Sequence, residues 1–283
     1  MNRQRITRDR LEELERHLLS DRDKAILHSL QKCRYLTSGQ IRRLHFLEHK
    51  SQSSATRATN MNLAKLQEFG LIDSLKRRIG GVRAGSGASV RLLTDAGNML
   101  LHIRSKERIP RKRLYEPSAI FLEHTLTIAE AYVQVMEICK KHGLEHVKTE
   151  IEPTCWRSHV GENGKAAHLK PDLFSIVATG EFEDNWFFEI DLATESYPVV
   201  LEKCRRYAYY YKTGIEQKTY GVFPLVVWIV PSLARKEGLQ RNIAASRELH
   251  PKNIFVVITP DEFEGLLQHG MTPATDKNKE NNI

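Results

Sequence analysis

Residues 169–178 read LKPDLFSIVA and residues 186–195 read WFFEIDLATE, two apolar runs separated by the polar stretch TGEFED at 179–184. Each run is short, bounded by turn-forming residues and rich in β-branched and aromatic side chains, which is the signature of a strand. A short polar link between them suits an antiparallel hairpin. Asp172 opens the first strand, and Glu189 and Asp191 lie two positions apart on the second. Strand alternation then sends both of these carboxylates to one face and Ile190 to the other. In a hairpin, Asp172 joins them. Three converging carboxylates repel one another unless a divalent cation holds them, and an all-oxygen set suits Mg2+ or Mn2+.

Outward from this pair, AIFLEHTLTIAEAYVQVMEICKKHG at 119–143 has the period of a long amphipathic helix, and HVKTEIEP at 146–153 reads as a strand. The stretch between it and the first quoted strand, with its Gly, Ser and His residues, reads as a loop. LEKCRRYAYYYKTG at 201–214 has helical spacing. FPLVVWIV at 223–230 and NIFVVIT at 253–259 are continuous apolar runs typical of strands covered on both faces, with a helix between them at 233–249. Residues 114–270 are therefore expected to form an α/β domain. Residues 271–283 are too poor in apolar side chains to pack, so a disordered tail is expected there.

The front of the chain has a different character. Leu11, Leu14 and Leu18 mark one helix, Ser20 caps a second with Ile26, Leu27 and Leu30 inward, and Thr37 starts a third. A polar SQSS stretch then precedes ATRATNMNLAKLQEFGLI at 55–72, a helix stopped by Gly70. DSLKRRIGGVRAGSGASVRLLT at 73–94 holds two β-prone runs around a glycine-rich tip, as a hairpin does, and Thr94 starts another helix. The basic, proline-containing stretch at 103–118 reads as a linker, with the boundary near residue 113. The tract from Asp21 to Leu101 resembles winged helix-turn-helix regulators. That resemblance implies that the helix carrying Arg57, Asn60 and Lys65 reads the major groove of double-stranded DNA, while Arg77, Arg78 and Arg83 in the wing touch the backbone or minor groove. The fold class expected overall is α+β, a winged helix-turn-helix domain at 1–113 followed by the α/β domain.

Charge agrees with such a division. Residues 1–113 carry 25 Lys and Arg against 11 Asp and Glu, a net of +14, whereas the whole chain carries +8, leaving −6 for the remainder. A basic front domain fits a polyanionic partner. The four cysteines are widely spaced, so neither a zinc site nor a disulfide framework is expected. The charged N-terminus and the absence of an apolar stretch of membrane-spanning length lead to the expectation of a soluble, cytoplasmic protein with no membrane partner. GGVRAGSG at 80–87 lacks a P-loop lysine, and no nucleotide cofactor is expected.

The second domain resembles the PD-(D/E)xK nuclease fold: LKPDLFSIV supplies the PD strand and WFFEIDLATE the strand after it, with Asp191 where that fold commonly has lysine. Lys203 on the next helix is the candidate for a relocated lysine, and Glu130, Glu150 or Glu152 for the additional acidic position. The succession of a winged module, Pro171–Asp172, Glu189 with Asp191, Thr194 and Glu195, and Lys203 with Tyr207 resembles the plasmid-encoded replication-relaxation family over roughly residues 20–260. The resemblance implies replication or mobilisation of a plasmid, with nicking of supercoiled DNA. On that basis Asp172, Glu189 and Asp191 would hold Mg2+ or Mn2+, and Lys203 would offset charge on the scissile phosphate. Tyr207, Tyr209, Tyr210 and Tyr211 are better read as packing residues than as a covalent nucleophile. His124 is read as structural, and His159 and His168 as near the substrate. Two function classes stay open: a metal-dependent nickase, and a non-catalytic DNA-binding initiator or regulator with an inactive nuclease-like domain. A homodimer is compatible with either.

Overall fold

In a computed structural model of the chain, residues 6–76, 89–105 and 116–270 are described. The fold is α+β and divides into two compact units, Met1–Val133 and Gln134–Ile283.

In the first unit α1 (Arg8–Glu13) runs into one π-helical turn at Leu14–Leu18. α2 (Asp21–Cys33) and α3 (Ser38–His45) each begin in a capping box, Ser20 with Asp23 and Thr37 with Gln40, so two orphan helix-end donors are satisfied reciprocally at each start. α4 (Gln52–Glu68) starts from the Ser51 hydroxyl. It stops where Gly70 takes φ +70, which lets Leu71 N–H return to the Leu66 carbonyl at 3.0 Å. Three short strands, β1 (Tyr35–Thr37), β2 (Ile72–Ser74) and β3 (Val90–Leu93), form an antiparallel sheet in the order β1-β3-β2. The β2–β3 pairing is the hairpin expected at 73–94, with Ile72 opposite Leu93. Arg77, Arg78 and Arg83, assigned to its tip, lie outside the described residues. β1 has no counterpart in the sequence expectation, because three residues carry no measurable period and only pairing with β3 defines the strand.

Ile26, Leu27, Leu30, Leu36, Ile41, Leu63, Leu66 and Leu71 are buried in this unit, contributed by α2, α3, α4, β1 and the turn after α4. α5 (Asp95–Leu101) follows β3 directly, and the start of α6 (Ala119–His142) packs Leu122 and Leu126 against Val90. Gln40 donates to the Leu126 carbonyl at 3.1 Å, and Arg43 pairs with Glu130 at 2.5 Å.

The second unit is built on a five-stranded sheet in the order β10-β9-β8-β7-β4. β4 (Glu145–Ile151), β7 (Leu173–Thr179) and β8 (Phe182–Ile190) are antiparallel; β9 (Leu225–Ile229) and β10 (Phe255–Ile258) continue in parallel from β8. One face packs Phe174, Phe187, Val226 and Trp228 against Val200, Cys204 and Tyr207 of α7 (Tyr197–Lys212) and Leu239 of α9 (Leu233–Ala245). On the other face Phe188 meets the edge of Phe263 from α10 (Phe263–His269). The short α8 (Ile215–Tyr220) follows α7.

The stretch before β7, expected as a loop, is instead a two-stranded hairpin, β5 (Arg157–Val160) with β6 (Ala166–Leu169). Four-residue strands of polar and small residues give no apolar alternation to read. The hairpin is anchored by Arg157, which donates to Glu216 at 2.9 Å and Glu150 at 3.3 Å while its guanidinium lies 4.5 Å from the Phe174 ring centroid. All four cysteines are free and buried. Among the described residues, no helix is long and apolar enough to cross a membrane.

Candidate functional site

The β7–β8 register pairs Leu173 with Phe188, so one step further Asp172 stands opposite Glu189. Residues directly opposite in an antiparallel pair share a face, and here that face is the one covered by α7. Both carboxylates are buried, at 8% and 3% exposure. Asp172 Oδ2 accepts from the Ile190 N–H at 2.7 Å, and Glu189 Oε1 accepts from the Tyr207 hydroxyl at 2.5 Å. Lys203 and Tyr207 lie four residues apart on α7 and therefore on one face of it. Lys203 Nζ is 2.9 Å from Glu195 Oε2.

The electrostatics follow from this geometry. Burial raises Glu189 well above the usual carboxylate range, and the neighbouring charge of Asp172 raises it further; Lys203 and the Tyr207 hydroxyl offset this only in part. For Lys203 burial acts downward, yet Glu189, Glu195 and Asp172 together hold the ammonium above its ordinary value. Burial and the charge of Glu189 also push the Tyr207 phenol upward.

Asp191 departs from the expectation. β8 ends at Ile190, and alternation holds only while the chain stays in the sheet. Asp191 keeps one ladder bond, its N–H to the Ile229 carbonyl at 3.0 Å, but its carboxylate turns into the following loop. Oδ1 accepts from the Ala193 N–H at 2.7 Å, where Ala193 has φ 57, and Oδ2 accepts from Arg235 Nε at 2.6 Å. The threefold convergence expected from spacing is thus corrected to a pair, Asp172 and Glu189, with Lys203 beside it. Among the described residues, no group of three or more His, Cys, Asp or Glu side chains is arranged to hold a metal ion. A pair still fits one chemistry: magnesium is commonly held by one or two carboxylates together with water and phosphate oxygens. Glu189 Oε2 is not the oxygen that the phenol occupies, and a cation beside it would relieve the repulsion that raises this group.

Of the candidates for a further acidic position, Glu130 and Glu150 are engaged in ion pairs. Glu130 accepts from Gln40 and Arg43 in the first unit. Glu150 is paired with Lys148 at 2.8 Å and with Arg157. The Glu152 N–H bonds the Asp172 carbonyl at 3.1 Å, which fixes the backbone at the entrance to β7. The tyrosine cluster is absorbed into packing: Tyr210 donates to buried Glu216 at 2.7 Å, Tyr209 to the Val160 carbonyl at 3.2 Å, and Tyr211 meets the edge of Phe223. The His159 ring lies tilted against those of Tyr209 and Tyr210, whereas exposed His168 bonds Ser158.

Arg235, which no motif singled out, is the residue that composition and spacing missed. It lies on α9, 44 positions from its partner Asp191, and a lone arginine on an amphipathic helix gives no signal of that contact.

In the first unit Arg57 and Asn60 are exposed and line a shallow open depression along α4 with Gln52, Ser53, Thr56 and Met61. Lys65 is placed differently. Its ammonium bonds the fully buried Asp23 at 2.5 Å, next to Asn62 Nδ2 at 2.7 Å on the other oxygen. It neutralises the interior end of a capping box.

No curated protein and no solved structure matches the chain. The family described as replication-relaxation matches residues 27–226, from the middle of α2 into β9, a stretch that contains Asp172, Glu189, Lys203 and Tyr207 but ends before Arg235. Matched over more than half its length, the chain belongs to the replication-relaxation family.

Proposed function

We propose that the protein binds duplex DNA through its first unit, a winged helix-turn-helix domain, and nicks it by divalent-cation-dependent hydrolysis in a PD-(D/E)xK-like second unit, serving replication or mobilisation of a plasmid. The observation that carries this reading is the buried Asp172–Glu189 pair with Lys203 at its side, in a chain of the replication-relaxation family. Burying two carboxylates side by side is costly for stability alone. Retaining them is understandable where a phosphodiester is to be cut.

In this scheme Asp172 and Glu189 would hold Mg2+ or Mn2+. When bound, the ion supplies positive charge against the phosphate and eases deprotonation of water. The chain's own residues do the rest. The Ile190 N–H and the Tyr207 hydroxyl each take one carboxylate oxygen and so orient the pair. Lys203 presents a cation to the oxygen that gains charge as the P–O bond breaks. Water adds across that bond, leaving a hydroxyl on one side of the nick and a phosphate on the other. The face of α4 that carries Arg57 and Asn60 suits groove contact, and +14 over residues 1–113 supplies affinity for any duplex.

One observation favours the alternative, a non-catalytic DNA-binding initiator or regulator: the position of the usual lysine is filled by Asp191, and Asp191 is locked to Arg235. Incubation of the full chain with supercoiled plasmid and Mg2+ or Mn2+ separates the two. Conversion to open circles that stops on chelation supports hydrolysis; duplex binding without conversion supports the alternative.

A further inference from the structure

We infer that Arg235 is a positioning residue for this site: it clamps the loop between β8 and α7 and, through Glu195, holds Lys203 against the carboxylate pair. The inference rests on the proposed catalytic role of Lys203. Five contacts carry it. Arg235 Nε donates to Asp191 Oδ2 at 2.6 Å, and Nη2 donates to the Glu195 carbonyl at 2.7 Å, so one guanidinium grips both ends of residues 191–195. Asp191 in turn accepts from the Ala193 N–H, holding that residue at its positive φ. The Glu195 side chain carries the Lys203 ammonium at 2.9 Å. Finally, the Arg235 guanidinium lies 4.4 Å from the ring centroid of Tyr197, the first residue of α7, so the helix that presents Lys203 and Tyr207 is held at its root.

The fit of α9 on α7 is close. A Cβ at Gly238 would lie 2.0 Å from the Tyr197 hydroxyl oxygen, so only glycine lets that ring stay where it is. Arg235 and Asp191 are almost wholly buried, at 11% and 2% side-chain exposure, which makes their pair a fixed joint rather than a surface contact. Lysine cannot replace this arginine, because a single ammonium cannot take both the carboxylate and the carbonyl in the fork geometry.

The test uses the full chain with Arg235→Lys, Arg235→Gln and Gly238→Ala, and reads two quantities. Hydrogen exchange of the peptide spanning residues 191–196 is expected to quicken about tenfold in all three variants, with β7 and β8 unchanged. Plasmid nicking is expected to lose about ten- to a hundredfold in kcat, with KM for DNA within about twofold. Arg235→Gln combined with Lys203→Ala is expected to be no slower than Lys203→Ala alone, as follows if Arg235 acts through Lys203. Unchanged exchange of 191–196 in the Arg235 variants overturns the clamp, and additive losses in the double variant overturn its action through Lys203. Failure of the underlying reading is seen separately, as nicking that survives Lys203→Ala or Asp172→Ala in the parent background.

Discussion

Asp23 and Glu189 are both buried carboxylates, yet their surroundings drive them in opposite directions. Burial raises each. At Asp23 the Lys65 ammonium, Ser20 and Asn62 outweigh it and hold the group below its ordinary value; at Glu189 the charge of Asp172 adds to burial and the group is raised. A depressed carboxyl contributes stability above its unfolded pKa and loses it as pH falls through the folded value. Lys65→Met is therefore expected to destabilise the protein by about 1–2 kcal/mol at neutral pH, with the deficit shrinking in acid. Chemical denaturation at several pH values measures it. A raised carboxyl has the opposite sign: its contribution is present below the unfolded pKa and is lost as pH rises through the folded one. Glu189→Gln is thus expected to stabilise the cation-free protein by about 1–2 kcal/mol at neutral pH and by almost nothing near pH 4. Equal melting temperatures for parent and variant across that range would contradict the environment described for Glu189.

At the scale of elements, local signals explain what was legible. The hairpin of β7 and β8 follows from two strongly apolar runs with a polar link, and the capped starts of α2 and α3 follow from Ser20 and Thr37, whereas α4 starts at Gln52, inside the SQSS stretch read as a break. Asp172 and Glu189 could be brought together from the sequence because both belong to that hairpin. Asp191 could not be placed, since its carboxylate lies beyond the end of β8 and is held by Arg235, a partner distant in sequence. The same limit hid β1 and the β5–β6 hairpin, whose strands exist through pairing and not through periodicity. It also hid the anchorage of Arg157 between Glu216 and Glu150. One junction makes a prediction of its own. α5 crosses Leu71 so closely that a Cβ at Gly97 would lie 2.1 Å from the Leu71 carbonyl oxygen, while Thr94 caps the helix through the Gly97 N–H at 3.0 Å. Gly97→Ala is expected to cost about 2–3 kcal/mol, read as a lower denaturation midpoint with an unchanged slope.

For the whole molecule, charge divides between the front and the back of the chain, and so do the proposed tasks. Net charge of +14 at residues 1–113 against −6 beyond them is why the proposed duplex affinity is assigned to the front. Arg57 is exposed on α4 and Lys65 is tied to Asp23, so the two substitutions separate binding from folding. Arg57→Ala is expected to weaken duplex binding about five- to twentyfold without lowering stability, and to reduce the slope of log K against log salt by about one if the contact is to a phosphate. Fluorescence anisotropy with labelled duplex across a salt series reads both quantities.

The central claim is that a cation held at Asp172 and Glu189 serves strand cleavage. It is tested most directly by comparing supercoiled-plasmid nicking by the parent chain and by Asp172→Ala in Mn2+ and in chelator. The account predicts open circles from the parent in Mn2+ alone, and at least about a hundredfold less from Asp172→Ala at unchanged duplex affinity. Nicking by Asp172→Ala at the parental rate, or no nicking by the parent in any divalent cation, would contradict it.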